Sequence, residues 1–299
     1  MKILIMPNLK LQNAAECARR VISILLEEGL TPAVDDATAE ALGPTGVETG
    51  RLTDLFQDCD IVAAIGGDGT IFHCAVDAVR YNKPILGINS GRLGFLSQIE
   101  AGDLSLLSNL KTKDYIISAR MLLEVTVHRR GGDEVRYALN DVVLCRSHLG
   151  RIIDMEVSCD SSVVGVYRAD GIIFSTPTGS TAYSLSAGGP IIDPGLECIV
   201  MTPTCPHSLN NRSVVFAPLK TIEVRSTMPG KHEKLFVVVD GANLDPVDEG
   251  ESVTIGKSQK VSRFVSFQEQ DFYQTLKEKL RSSSFPSTNN FFISEKEAG

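Results

Sequence analysis

Apolar and polar positions follow two different rhythms along this chain. KILIM (2–6) is a short unbroken apolar run, and NAAECARRVISILLEEG (13–29) then repeats its apolar residues every three to four positions before a glycine. Those spacings predict a strand followed by an amphipathic helix. TPAVDD predicts a weaker strand, DIVAAI a buried one, TIFHCAVDAVR a helix and KPILGIN a further strand. Strands alternating with helices over about the first hundred residues predict a parallel sheet covered by helices. After ISARMLLEVTVHRR, strand-like runs and turns such as RRGGDE take over, and helical spacing returns only in QEQDFYQTLKEKL. The expected fold is an α/β N-terminal domain with a Rossmann-like parallel sheet (1–117) and a β-rich C-terminal domain (118–262). A helix over 263–282 is expected to return to the first domain, ahead of a mobile, Ser- and Asn-rich tail (283–299). No internal repeat is visible.

Composition leaves that picture standing and narrows the chemistry. With 299 residues, 43% of them hydrophobic and 22% charged, the chain suits two globular domains or one large one. Its 29 Lys and Arg stand against 37 Asp and Glu, a formal net charge of −8 that argues against a general nucleic-acid surface. Phosphate recognition in so acidic a chain needs local arginines, backbone amides or a metal ion. No segment has the length and apolarity of a membrane-spanning helix, and MKILIMPN lacks the apolar core and cleavage site of a signal peptide, so a cytoplasmic location without membrane contact is expected. Seven cysteines without a CxxC pair predict reduced thiols used as small apolar residues, not a disulfide framework or a zinc cage.

Two stretches carry candidate chemistry. In DIVAAIGGDGTIFHCAVDA (60–78) a buried run ends in Gly66, Gly67, Asp68, Gly69 and Thr70. Ligands of alternating α/β sheets sit beyond the carboxyl ends of the strands, which is where this turn falls. The glycines let a ligand approach the backbone, and the free amides opening the next helix favour phosphate. Asp68 would repel that anion unless it faces another ligand atom or a metal ion, or unless it merely stabilises the turn and caps the helix. The stretch is neither a GxxxxGK[ST] loop nor a GxGxxG fingerprint. The second stretch, RADGIIFSTPTGSTAYSLSAGGPIIDP (168–194), crowds hydroxyls and small residues around Tyr183 at a strand-to-helix turn, and Gly188-Gly189-Pro190 ends the helix. Such a turn suits a nucleoside, although a Ser/Thr-rich helix start is as often a cap.

Taken with LGINSGRLGFL (86–96), Asn140-Asp141 in ALNDVVL and TPTCPHSLNNRSVV (202–215), these stretches make the chain resemble the NAD kinases over about residues 60–242. GGDGT alone is shared with diacylglycerol and sphingosine kinases and, as a close variant, with 6-phosphofructokinases; the TPTGSTAYSLSAGGP block is what those relatives lack. The resemblance implies phosphoryl transfer from ATP, or polyphosphate, to the 2′-hydroxyl of the adenosine ribose of NAD, with Asp68 as proton acceptor. An aspartate ordinarily titrates near about 3.9, so it would orient the hydroxyl and collect its proton late in a loose transition state. The donor phosphates would lie on Gly66, Gly67, Gly69 and Thr70 with a Mg²⁺ ion, whose protein ligands the sequence does not name.

Other roles implied by the resemblance attach to single positions. Asn140 would bond the adenine side of NAD and Asp141 its ribose hydroxyls, where many relatives carry Glu. Thr178, Thr181, Ala182, Tyr183 and Ser186 would surround the adenosine, and Gly69 would also contact NAD. Asp170 would meet the nicotinamide end, with Arg151 and Arg168 as candidate partners for the pyrophosphate or nicotinamide ribose, and His207 would edge the site. Ala242 stands where many relatives have Gln, which removes one polar contact or moves it to Asn243. A homodimer or homotetramer built through the β domains is implied as well. Two other readings stay open: a lipid or sugar kinase of the same superfamily, and a nucleotide-binding regulator without turnover.

Overall fold

The apolar runs of the first hundred residues pair side by side because most are buried on both faces, which suits a parallel sheet. Six strands, β1 (Lys2–Pro7), β2 (Thr31–Asp35), β3 (Glu48–Gly50), β4 (Ile61–Gly66), β5 (Ile85–Asn89) and β6 (Ile99–Glu100), make it. They pair in parallel in the order β3-β2-β1-β4-β5, with β6 added to β5. The computed structural model describes residues 1–43, 46–90, 94–146, 153–207, 212–227, 235–268 and 272–283, apart from the side chains of 243, 244 and 281–283. Arg151 and the expected tail beyond Ser283 therefore lie outside the described residues.

Helices cover both faces of this sheet: α1 (Ala14–Glu27), α2 (Asp36–Leu42), α3 (Leu52–Asp58), α4 (Asp68–Arg80) and the single turn α5 (Asn109–Thr112). Helix α1 buries Ala14, Cys17, Ala18, Val21, Ile22 and Leu25, the stripe that the three-to-four spacing predicts. It packs on Ile3, Ile5, Ile65 and Ile88, while α3 and α4 set Leu55, Phe56, Ile71 and Phe72 against Leu4, Val62 and Ala64 on the other face. Each such aliphatic side chain, fully buried, stabilises the fold by roughly 1.5–3 kcal/mol. Helices α2 and α3 have seven residues each, too few for a period to stand out in the sequence.

The second half is β-rich. Its strands are β7 (Ile116–His128), β8 (Glu134–Ala138), β9 (Asp141–Arg146), β10 (Ile153–Cys159), β11 (Ser162–Ala169), β12 (Gly171–Ser175), β13 (Ile199–Thr204), β14 (Val214–Phe216), β15 (Ile222–Ser226), β16 (Leu235–Val239), β17 (Ala242–Val247) and β18 (Ser252–Ser266). Strands β14-β13-β12-β9-β16-β17 form an antiparallel sheet. It packs across a core of Leu144, Ile172, Phe174 and Met201 onto Leu123, Val125, Val253 and Ile255 of β7 and β18. The short α6 (Tyr183–Ser186) follows β12, and α7 (Phe272–Ser283) follows β18.

The two halves share one sheet. Strand β18 pairs with β7 along most of its length and meets β5 in parallel at Phe264 and Ile85. Positions 117 and 118 both lie in β7, and 262 and 263 both lie in β18, so a continuous ribbon joins the halves where the sequence pattern alone suggested boundaries. The helix expected over 263–282 begins only at Phe272, because Phe264 and Val265 are buried strand residues. Helix α7 then returns to the first domain, where the Phe272 ring lies 6.2 Å from that of Phe95. Among the described residues, no helix is long and apolar enough to cross a membrane.

Candidate active site

The helix after GGDGT starts two residues earlier than its apolar period suggests, and that places the carboxylate. Gly67 is the extended cap residue of α4, and its carbonyl accepts from the N–H groups of Thr70 (2.9 Å) and Ile71 (3.1 Å), making Asp68 the first helical residue. An acidic group there is favoured by the helix dipole. Its orientation comes from another segment, where Phe95 N–H donates to Oδ2 at 3.0 Å and Leu96 N–H to Oδ1 at 3.3 Å. The carboxylate lies so close over Gly94 that no side chain fits at that position. Below the turn, Thr70 Oγ1 accepts from the Asn8 side-chain amide at 2.9 Å and occupies the space a side chain on Gly66 would need. Gly67 and Gly69 face open space instead, which leaves their backbone approachable.

One cavity of the size typical of small-molecule sites takes in this turn, and two more are lined by residues linked to it. One of about 440 Å³ is lined by Gln12, Asn13, Gly67, Asp68, Asn89 and Ser90, together with Lys279 of α7. A second, of about 470 Å³, is lined by Phe72, Asn140, Asp141, Ala182, Tyr183 and Asp240. The third, of about 540 Å³, is lined by Phe95, Arg120, Thr178, Thr181, Phe272 and Tyr273. Phe95, which holds Asp68, and Phe72, one helical turn beyond it on the same face of α4, tie all three to the carboxylate.

The hydroxyl-rich turn divides into structural and available groups. Thr176 Oγ1 donates to the Leu139 carbonyl at 2.6 Å and accepts from Gly179 N–H at 3.0 Å, while its own N–H donates to the Asn140 carbonyl at 2.9 Å. That fastens the end of β12 to the entry of β9, where Asn140 and Asp141 sit. Ser180 donates to the Pro177 carbonyl at 2.7 Å, Ser184 and Thr202 share a hydroxyl bond of 3.0 Å, and both serines are fully buried. Thr178, Thr181, Ala182 and the half-exposed ring of Tyr183 face the cavities, whereas Ser186 is exposed and lines none of the three.

A residue that the sequence reading passed over organises the second cavity. Asp240 and Gly241 form the two-residue turn between β16 and β17, with φ of 51° and 71° as a tight hairpin of this kind requires. The Asp240 carboxylate accepts from the N–H groups of Leu139 (2.8 Å), Asn140 (2.9 Å) and Asp141 (3.1 Å). Burial, then the charge of Asp240, pushes the Asp141 carboxyl up to about 7; burial pushes Asp240 up to about 6 against those three N–H bonds. An Asp-Gly dipeptide between LFVVV and ANLDPV was the available signal for the turn. Nothing local marked Arg120, whose guanidinium is pulled below its ordinary value by burial against the opposing charge of Asp193.

Asp170 and Arg168 stand apart from these cavities. Asp170 pairs with Arg146 at 2.8 Å, and the exposed Arg168 lies 3.7 Å from Asp154. His207 is exposed and reaches Arg168 only through its backbone, its N–H donating to the Arg168 carbonyl at 2.9 Å. Ala242 is exposed, beside a separate cavity that Asp240 also lines.

The ATP-NAD kinase N-terminal domain matches residues 3–110 and the ATP-NAD kinase C-terminal domain residues 139–267. The chain belongs to the ATP-NAD kinase family. Relatives include an NAD kinase of Geotalea daltonii, 39% identical over 88% of this chain and 92% of its own, and one of Desulforamulus reducens, 39% identical over 90% and 93%. Among solved structures, yeast NADH kinase complexed with NADH superposes with a TM-score of 0.84 at 26% identity, covering 96% of this chain and 90% of that one. An NAD kinase from Archaeoglobus fulgidus in complex with ATP shares the fold, with a TM-score of 0.69 at 24% identity over 94% and 99% of the two chains. In this family member Asp68 lies in the N-terminal match and Asn140, Asp141, Tyr183 and Asp240 in the C-terminal one, so the site is assembled by both.

Proposed function

We propose that the chain transfers a phosphoryl group from ATP, or from polyphosphate, to the 2′-hydroxyl of the adenosine ribose of NAD, giving NADP. The observation that carries this reading is the setting of Asp68, whose two oxygens, among the described residues, are each held by one backbone N–H beside an open glycine turn. A carboxylate offers about four acceptor positions, so both oxygens keep capacity for a substrate hydroxyl. Donor phosphates lie on the Gly67 and Gly69 side, against the first amides of α4. The adenosine of NAD occupies the cavities of Asn140, Asp141, Ala182, Tyr183, Thr178 and Thr181, with Asp240 holding the Asn140-Asp141 backbone in place. Because phosphoryl transfer has a loose transition state, aligning the hydroxyl matters more than deprotonating it beforehand, and Asp68 orients it and takes its proton late.

A divalent cation such as Mg²⁺ fits this site only as a companion of the phosphates, whose charge it would neutralise. Among the described residues, Asp68 is the sole carboxylate lining the donor-side cavity, and no three His, Cys, Asp or Glu side chains gather as a metal site. Asp170 and Arg168, away from the cavities, suit contacts to the nicotinamide end supplied across subunits of a homodimer or homotetramer, and the proposed compartment is the cytoplasm. The test is NADP formation from NAD, ATP and Mg²⁺ by the wild type and by Asp68→Asn, with NAD affinity measured alongside. The variant is expected to bind NAD and turn over at least about a hundredfold more slowly. A wild type that forms no NADP with either donor would refute the reading, and lipid and sugar acceptors would then be tried.

A further inference from the structure

Helix α7 lies beyond residue 267, where the match to the family's C-terminal domain ends, so family membership gives it no role. Its position is nevertheless specific. Phe272, in its first turn, lies against Phe95, the residue whose N–H holds Asp68 Oδ2. Lys279 follows seven residues later, which on a helix is about two turns and roughly 10 Å further along the same face. One face of α7 thus runs from the cavity of Phe95 and Thr181 to the cavity of Gly67 and Asp68.

Charge gives that position a chemical meaning. Among the described residues, the donor-side cavity is lined by uncharged groups, by the carboxylate of Asp68 and by one cationic side chain, Lys279. A polyphosphate chain entering it meets the negative charge of Asp68 within a chain of net charge −8. Backbone amides of the glycine turn supply partial charges only, and a lysine ammonium is a compact cation well suited to phosphate oxygens. We infer that Lys279 is a donor-binding residue: the C-terminal helix lends the cation that holds the phosphates of ATP beside Asp68. This rests on the kinase reading above.

The test uses the full chain with Lys279→Ala, Lys279→Arg and, as a control of equal charge change, the exposed Lys277→Ala on the same helix. Loss of one charge-assisted phosphate contact is expected to raise KM for ATP about tenfold, with KM for NAD within about twofold of wild type and most of the loss recovered by arginine. Lys277→Ala should behave as wild type. A Lys279→Ala enzyme whose KM for ATP stays within about twofold, or rises no more than that for NAD, would overturn the assignment. Should the wild type not phosphorylate NAD at all, calorimetric titration with ATP and Mg²⁺ decides separately: equal ATP affinity of wild type and Lys279→Ala refutes the role of the lysine, whereas a loss of about tenfold upholds it without the NAD reading.

Discussion

Substituting Gly94 by alanine would displace the Asp68 carboxylate without altering any group proposed to touch substrate. A Cβ at position 94 would stand 1.6 Å from Asp68 Oδ1 and 2.3 Å from Oδ2, against the 3.4 Å at which ordinary contact begins, so the carboxylate or the 94–96 segment must shift by about 1.8 Å. Asp68 has little room to yield cheaply: its side chain is short, and rotation away gives up the N–H bonds from Phe95 and Leu96. Movement of the segment instead carries those donors off and disturbs the 2.8 Å bond from Gly94 N–H to the buried Ser97 hydroxyl. A misplacement of about 1 Å at a reacting group costs about a hundredfold in rate, so Gly94→Ala is expected to lower kcat by at least that factor. The assay is NADP formation coupled to a NADP-specific dehydrogenase, with NAD affinity from direct titration and folding from the thermal midpoint. Normal NAD binding, a normal midpoint and a kcat within about threefold of wild type would refute the claim that the pinned position of Asp68 governs the reaction.

Two further outcomes follow from the second cavity. An unfolded aspartate titrates near about 3.9, and in the folded chain the Asp141 carboxyl is pushed up to about 7, so between about pH 4 and 7 the folded state holds a proton that the unfolded state has lost; the stabilisation is complete below that window and is lost as pH rises through it. Asp141→Asn should therefore melt higher than wild type at pH 8, match it at pH 5 and bind NAD less tightly, whereas a melting difference independent of pH would contradict the assigned cause. Thr176→Val keeps the shape of the side chain but leaves the Leu139 carbonyl and Gly179 N–H without their partner, at a cost of about 1–3 kcal/mol in urea denaturation. Its KM for NAD should rise more than its kcat falls, because Asn140 and the 178–181 turn lose their common anchor; an unchanged KM would show that the anchor does not position the dinucleotide.

Much of the site was legible in the linear sequence because its signals are local. The alternation of apolar runs and three-to-four periods marked β1, α1, β4, α4 and β5, and the glycines around Asp68 marked a bare turn at a strand's carboxyl end, since both depend on residues only a few positions apart. The same locality sets the limit of that reading. Ser186 belongs to the same hydroxyl-rich run as Thr178 and Thr181, yet it is exposed and lines none of the three cavities, while Ser180 and Ser184 are fully buried and bonded to Pro177 and Thr202; only the packing of the turn on neighbouring segments could show which hydroxyls remained available. Tertiary structure alone decided where Asp68 points, because its donors lie 27 and 28 residues away. It also set Asp240 against Asn140 and Asp141 across 99 and 100 residues. The tertiary structure also lays Phe272 of helix α7 beside Phe95, although the helix's sequence records only that it is amphipathic. Periodicity and turn chemistry are short-range properties of a chain and can be read along it; the orientation of the Asp68 carboxylate, the elevation of the Asp141 pKa and the place of Lys279 in the cavity of the glycine turn depend on distance in space, which only the folded chain fixes.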